Sequence, residues 1–406
     1  MSTHSSRVGR AVAALGATLV LGAGGAAGTL ALAAIEAAPA GATTVADEAS
    51  FRTAWNTDTT ITLDADITLT CGGGGEAVRS GTAPFTLDGQ GHTITQTCAG
   101  DRVLHVNSTG GNGIVQHVTI TGGSNSQGGF GGGLFYDSSG TLALDHVAIV
   151  GNVNCSDGGG LDYEGHSLTI TQSTIANNLS GGFGGGIWAG VSATSMLNST
   201  LSGNTAHAAG GLEGGGSDLT LTYSTVVQNG FGEGNAPSCS QAITGASGHT
   251  GGQASAISPG DAQLVLDAET GSPPAGDALT SFASVVALPL GGETNCSVDP
   301  ARVDSQGDNY SDDGTCEFTG TGDRQSAGDP GLGALGANGG FAPTQVPQPG
   351  SPLLDAVPLD ACQAGSAAGV TTDERDVTRP QGDGCDIGAV EVVVAAPIVL
   401  APRFTG

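Results

Sequence analysis

Four residues on successive repeats, Phe135, Asp162, Trp188 and Glu213, each directly follow an aliphatic residue that itself follows a Gly-Gly pair, at steps of 27, 26 and 25 residues. Two carboxylates with an indole between them are the parts of a sugar-cleaving site: one acid, one base and a platform on which a pyranose ring stacks. With Asp162 and Glu213 two layers apart, the inter-strand spacing separates their backbones by about 9.6 Å, near the upper end for a pair that inverts a glycosidic centre. The same stripe also reads as a non-catalytic carbohydrate or surface contact, or as an ordinary solvated strand face. The alternation around it points all four side chains outward, in one exposed column.

Other chemistry-bearing residues are sparser. His117 and His146 align one repeat apart, each before a Val, but no third ligand recurs with them. A solvated turn fits them better than a metal pair. Asp308, Asn309, Ser311, Asp312 and Asp313 offer oxygens that suit Ca²⁺, yet Gly314 is not placed where a calcium-binding loop needs its glycine. A structural turn is again the better reading, and Ca²⁺ is the one cofactor the sequence suggests.

The elements that would position these residues emerge when residues 116–229 are laid over themselves. Ile120, Ile149, Ile175, Leu201 and Val226 fall in one column, at steps of 29, 26, 26 and 25 residues. Val115, Leu144, Ile170, Met196 and Leu221 form a second column, and Leu134, Leu161, Ile187 and Leu212 a third. Gly123 and then Asn152, Asn178, Asn204 and Asn229 recur at a turn. Apolar residues alternate within each unit, the period of a strand, and Gly, Asn and Ser follow, as turns require. About 26 residues suffice for three short strands and three turns. The pattern therefore predicts an all-β chain, a right-handed parallel β-helix, with aliphatic columns inside and the Asn column as a buried amide ladder.

Boundaries follow from the same register. Residues 43–112 hold a cap and less regular first coils, with residues 46–55 as a short capping helix. Residues 113–229 are the regular repeats, 230–262 a Gly/Ser/Ala-rich surface insertion, 263–391 the final coils and a distinct C-terminal region, and 392–406 a tail. Ahead of them, residues 1–42 carry Arg7 and Arg10, an uncharged Ala/Leu/Gly/Val run, and Ala38-Pro39-Ala40-Gly41-Ala42. That is the pattern of a secretory signal peptide cut after Ala40 or Ala42; an uncleaved anchor is the alternative. Once that segment is removed, no stretch is long and apolar enough to span a membrane.

The formal charge is −28, there is no lysine, and no arginine lies between Arg102 and Arg302. A body without fixed positive charge cannot hold a phosphate backbone, which excludes nucleic acid as a partner. Surface glycans or proteins are the partners left open, as is the oligomeric state. Eight cysteines behind a signal peptide imply disulfides in an oxidising compartment. Cys71 and Cys98 are 27 residues apart, one coil, and should pair.

The repeat, Ile/Leu-x-x-Asn followed by Gly-Gly and an aliphatic, resembles the repeats of bacterial polymorphic outer membrane proteins. The C-terminal third carries Asp329-Pro330, Leu332-Gly333, Asn338-Gly339-Gly340, Pro343-Thr344 and Gly350-Ser351-Pro352-Leu353-Leu354-Asp355-Ala356. It continues with Asp373, Arg375, Arg379-Pro380, Cys385-Asp386-Ile387-Gly388-Ala389 and Glu391. Over residues 264–391 it closely resembles the choice-of-anchor Q domain, an extracellular module of bacterial surface proteins with a pectin-lyase-like fold. The resemblance implies secretion or surface display and carries over no catalytic residue. Cys296–Cys316 and Cys362–Cys385 flank its elements and are expected to pair locally. Cys155 and Cys239 are left, about three coils or roughly 14 Å apart on the stack, so that pair needs the insertion to fold back.

β-Helices of this kind also host polysaccharide lyases and hydrolases, so the competing function is a carbohydrate-active enzyme. A lyase acting on polyuronates needs a base, usually Arg or Lys beside Ca²⁺, and the repeat body has neither. Asn56-Thr57-Asp58 is a tripeptide shared with polygalacturonase-type hydrolases, but it lies ahead of the repeats. A secreted or cell-surface protein with a structural or adhesive role is the reading the sequence favours.

Overall fold

The computed structural model describes residues 42–126, 129–190, 193–216, 218–232, 262–266 and 278–393. The proposed signal segment, most of the insertion and the C-terminal tail lie outside them, as does Cys239.

The chain is a parallel β-solenoid. Eight strands stack in parallel on one face: Ala77–Arg79, Leu104–Asn107, Leu134–Asp137, Leu161–Tyr163, Ile187–Ala189, Leu212–Gly214, Ala262–Leu266 and Thr294–Val298. Two further faces share one 17-stranded sheet bent at a corner. One includes Ser167–Thr171, Ala193–Leu197 and Asp218–Thr222, and the other Thr174–Ala176, Thr200–Ser202 and Thr225–Val227. The columns are those the spacing predicts. Leu134, Leu161, Ile187 and Leu212 pair in register, as do Ile120, Ile149, Ile175, Leu201 and Val226, and all are buried in one continuous core. Each layer is too thin for a core of its own, so like residues stacked on like create it.

The amide ladder runs where it was expected and further. Asn152 Nδ2 donates to Asn178 Oδ1 at 3.1 Å, Asn178 to Asn204 at 2.9 Å, and Asn204 to Asn229 at 2.9 Å. Gln263 and Asn295 extend it, and Asp312 ends it by accepting from Asn295 Nδ2 at 2.7 Å. Each amide also serves the main chain: Asn178 Oδ1 accepts from Asn152 N, and its Nδ2 donates to Ile149 O. Polar groups that would be costly inside an apolar core are thereby satisfied.

The bend between the two joined faces was not legible in advance. His117, His146, Gln172, Asn198, Tyr223, Ala283 and Asp308 occupy it with φ between 45° and 56°. Side chains other than Gly adopt this region only when the surroundings enforce it. Here the next residue anchors the corner: Ser173 N donates to Ser199 Oγ at 3.2 Å, and Ser224 N to Ser284 Oγ at 3.1 Å.

Both ends are closed. The expected helix spans Glu48–Thr57, capped by Asp47 accepting from Ser50 N, and buries Phe51, Ala54 and Trp55 over the first coil. At the other end Cys316 and Phe318 enter the core. Cys71–Cys98, Cys296–Cys316 and Cys362–Cys385 are bonded, with Cα separations of 4.8, 4.8 and 5.6 Å. The expected Cys155–Cys239 pair has one end outside the described residues. Replacing both Cys71 and Cys98 by Ala is expected to cost about 3 kcal/mol by releasing a one-coil loop. Urea unfolding under non-reducing conditions, compared with the unaltered chain, measures it.

Past Asp329 the chain leaves the stack. Residues 329–391 run back across the bend as a strap, burying Leu353, Val357, Val370 and Ile387 against Leu197, Tyr223 and Phe282 in a second apolar cluster. Among the described residues, no helix is long and apolar enough to cross a membrane.

Candidate functional site

The four predicted site residues do form one ladder. Phe135 pairs with Asp162, Asp162 with Trp188, and Trp188 with Glu213. The register continues through His105 and Val78 on one side and Val265 on the other. Their inward neighbours Leu134, Leu161, Ile187 and Leu212 line the core, so the column faces outward as the alternation requires.

Exposure is the correction. Phe135 is 8% exposed, Asp162 0% and Trp188 9%; only Glu213 is half-buried. The reason lies in the turn before each strand, which doubles back over it. Gly131, Gly158 and Gly184 sit there with φ of 66°, 70° and 61°. A Cβ on Gly158 would lie 2.6 Å from Asp162 Cβ, which shows how closely the turn covers the stripe. Phe130, on the same turn, lays its ring 5.7 Å from that of Phe135. Period-two reasoning gives the direction of a side chain but not what folds over it.

Three partners were missed. Arg102 holds its guanidinium 5.0 Å from the Phe135 ring centroid and its Nε 2.6 Å from Glu76 Oε2. His105 stacks on Phe135 at 4.9 Å and places Nδ1 3.4 Å from Glu76 Oε1. Burial lowers the Arg102 pKa, with the charges of Glu76 and Asp162 working against it. Burial would raise that of Glu76, but His105 and Arg102 outweigh it and hold the carboxyl low. The signal for His105 was present, since it lies between the inward Leu104 and Val106. Nothing in the spacing marked Arg102 or Glu76.

With Trp188 buried under the turn, Trp188→Ala should destabilise the chain by about 3 kcal/mol, as removal of a buried aromatic does. An exposed contact residue would cost almost nothing. Urea midpoints of the two chains measure the difference.

The remaining candidates have structural uses. His117 and His146 stack at 5.2 Å, with Nδ1 of each 3.3 Å from Asp88 and 3.0 Å from Asp145. They are corner residues rather than solvated turns, and the His146 side chain is only 12% exposed. Asp312 and Asp313 close the amide ladder: Asp313 accepts from Asn295 N and Thr315 N. Asp308 has its carboxyl raised by burial and by Asp323. Among the described residues no group of three or more His, Cys, Asp or Glu could hold a metal ion. Asn56 and Asp58 lie at the end of the capping helix, where Asn56 Oδ1 accepts from Ser80 N and Asp58 Oδ2 from Thr43 Oγ1.

No family model, no curated protein and no solved structure matches this chain. The solenoid fold hosts enzymes and non-enzymes alike, so architecture does not choose between them.

Proposed function

We propose that this chain is a secreted or cell-surface β-solenoid with a structural or adhesive role and no catalytic activity. The observation that carries the reading is the burial of Asp162 and Trp188. A glycosidase pair needs its carboxylates open to the sugar and to water, and Asp162 exposes nothing. The covered stripe serves instead as packing under the turns. The three disulfides among the described residues suit a non-reducing exterior, and capped ends suit a solenoid that must not stack end to end. The likeness of residues 264–391 to the choice-of-anchor Q domain points the same way, toward bacterial surface display. Any glycan or protein ligand would then meet the outer surface, without turnover.

The purified chain, incubated with a panel of polysaccharides including polyuronates, should release neither reducing nor unsaturated ends. A glycan array run beside it separates adhesion from a purely structural role. Sugar release that disappears in Asp162→Asn or Glu213→Gln would establish the carbohydrate-active alternative instead.

A further inference from the structure

The strap meets the solenoid through one carboxyl that the proposed function does not use. Glu374 is 1% exposed and lies between the strap and the outward hydroxyls of two successive coils. Thr174 Oγ1 is 2.7 Å from Glu374 Oε1, and Thr200 Oγ1 is 2.5 Å from Oε2. Thr174 Oγ1 is also 2.6 Å from the carbonyl oxygen of Pro343. A hydroxyl has a single proton. If Thr174 gives it to the Pro343 carbonyl, which can only accept, the contact with Glu374 is a hydrogen bond only when Oε1 carries a proton. Thr200 then donates to Oε2, and every group is satisfied by a neutral acid.

We propose that residues 329–391 form an acid-tightened strap: Glu374 docks as the neutral acid between Thr174 and Thr200, and the strap loosens as the pH rises.

The charged surroundings agree. On the strap, Asp373 opposes ionisation of Glu374, while Arg375 favours it but is turned onto Asp373 at 2.9 Å. The solenoid offers Glu374 the hydroxyls of Thr174 and Thr200, neither of them charged. Burial, ahead of all these, holds the Glu374 carboxyl well above its ordinary range. At one edge of the strap His146 Nε2 lies 3.4 Å from Asp376 Oδ2, with Asp145 at its other nitrogen. Burial would lower the His146 pKa, but the Asp145 hydrogen bond and the charges of Asp145 and Asp376 raise it. At the other edge Arg379 pairs with Glu391 beside Asp386, and burial raises both of those carboxyls.

The signs coincide. A group whose pKa is higher docked than free favours docking fully below its free pKa, and loses that contribution as the pH climbs through the docked value. This holds for Glu374, which the solenoid hydroxyls and the strap enclose together; at His146 only the contact with Asp376 belongs to the strap, and with Asp145 at the other nitrogen that contact needs the imidazolium. Above the ordinary glutamate range, Glu374 alone weakens docking about tenfold for each pH unit, the slope for one proton.

Hydrogen exchange read by mass spectrometry tests this on the full chain. The Gly388 and Ala389 amides report docking, since they donate to Ala283 O and Thr225 Oγ1 at 2.9 Å each. As the pH rises from about 6, with intrinsic rates corrected, their protection should fall, with Glu374 contributing up to about tenfold per unit until the docked carboxyl ionises. In Glu374→Gln the amide can donate to Thr174 and accept from Thr200 as the neutral acid does. Its protection should fall more shallowly by one proton's worth and exceed that of the unaltered chain at alkaline pH. Equal slopes, or weaker alkaline protection in the Gln chain, overturn the proposal. If that variant does not fold, isotope-edited infrared of labelled glutamate in the unaltered chain decides: a protonated-carboxyl band must persist at about pH 7, and its absence rejects the strap mechanism.

Discussion

Arg379→Gln is expected to release the strap and lower stability by about 3–5 kcal/mol, the cost of leaving one member of a buried pair alone. Arg379 Nη1 lies 3.0 Å from Glu391 Oε2, with the two side chains 0% and 1% exposed. The guanidinium also donates to the carbonyls of Asp386 and Gly388 and covers the Tyr223 ring at 4.3 Å. No other cation in the strap can take its place, because Arg375 is engaged with Asp373. The loss should shrink toward acid pH. Burial already raises the Glu391 carboxyl, and without Arg379 it rises further, so protonation relieves the stranded charge. Urea unfolding at about pH 5 and about pH 7.5, followed by Tyr fluorescence and by circular dichroism, should show the larger deficit at the higher pH. Equal deficits at both would mean that Glu391 is not the group left uncompensated.

Asn178→Leu is expected to cost about 4 kcal/mol and to act beyond its own coil. The substitution removes the acceptor of Asn152 N and Asn152 Nδ2 and the donor to Ile149 O and Asn204 Oδ1, all buried. Each bond contributes about 1 kcal/mol, and a buried group left unpaired costs more than that. Leu is nearly the same size, so the loss reports the polar ladder rather than a cavity. Since stability in a solenoid is a sum over neighbouring layers, amide exchange should quicken at residues 152 and 204 before it does at the capped ends.

What the sequence could disclose here depended on repetition. Ile120, Ile149, Ile175, Leu201 and Val226 declare the fold because one physical demand, an apolar side chain at one corner of each layer, is met five times over. Asn152, Asn178, Asn204 and Asn229 declare the ladder for the same reason. Cys71 and Cys98 were placed by the coil length alone. Features that occur once left no such trace. The docking of the strap through Glu374 and Arg379 is long-range, some 170–200 residues from its partners Thr174, Thr200 and Asn198. The corner at His117, His146, Gln172, Asn198 and Tyr223 repeats in space but not in residue type, since its left-handed backbone is imposed by the stack. The stripe of Phe135, Asp162, Trp188 and Glu213 was legible as a column and misread as exposed. Its cover comes from the Gly131, Gly158 and Gly184 turns, which look like ordinary loops in sequence.

The claim on which the functional reading rests is that this stripe is covered, and Trp188 reports on it directly. The chain has two tryptophans, Trp55 and Trp188, so in Trp55→Phe the emission belongs to Trp188 alone. The account predicts blue-shifted emission and weak quenching by acrylamide in the folded protein, unchanged by added oligosaccharides. Red-shifted emission, quenched as readily as a free indole and altered by a sugar, would contradict it and return the stripe to the surface as a carbohydrate site.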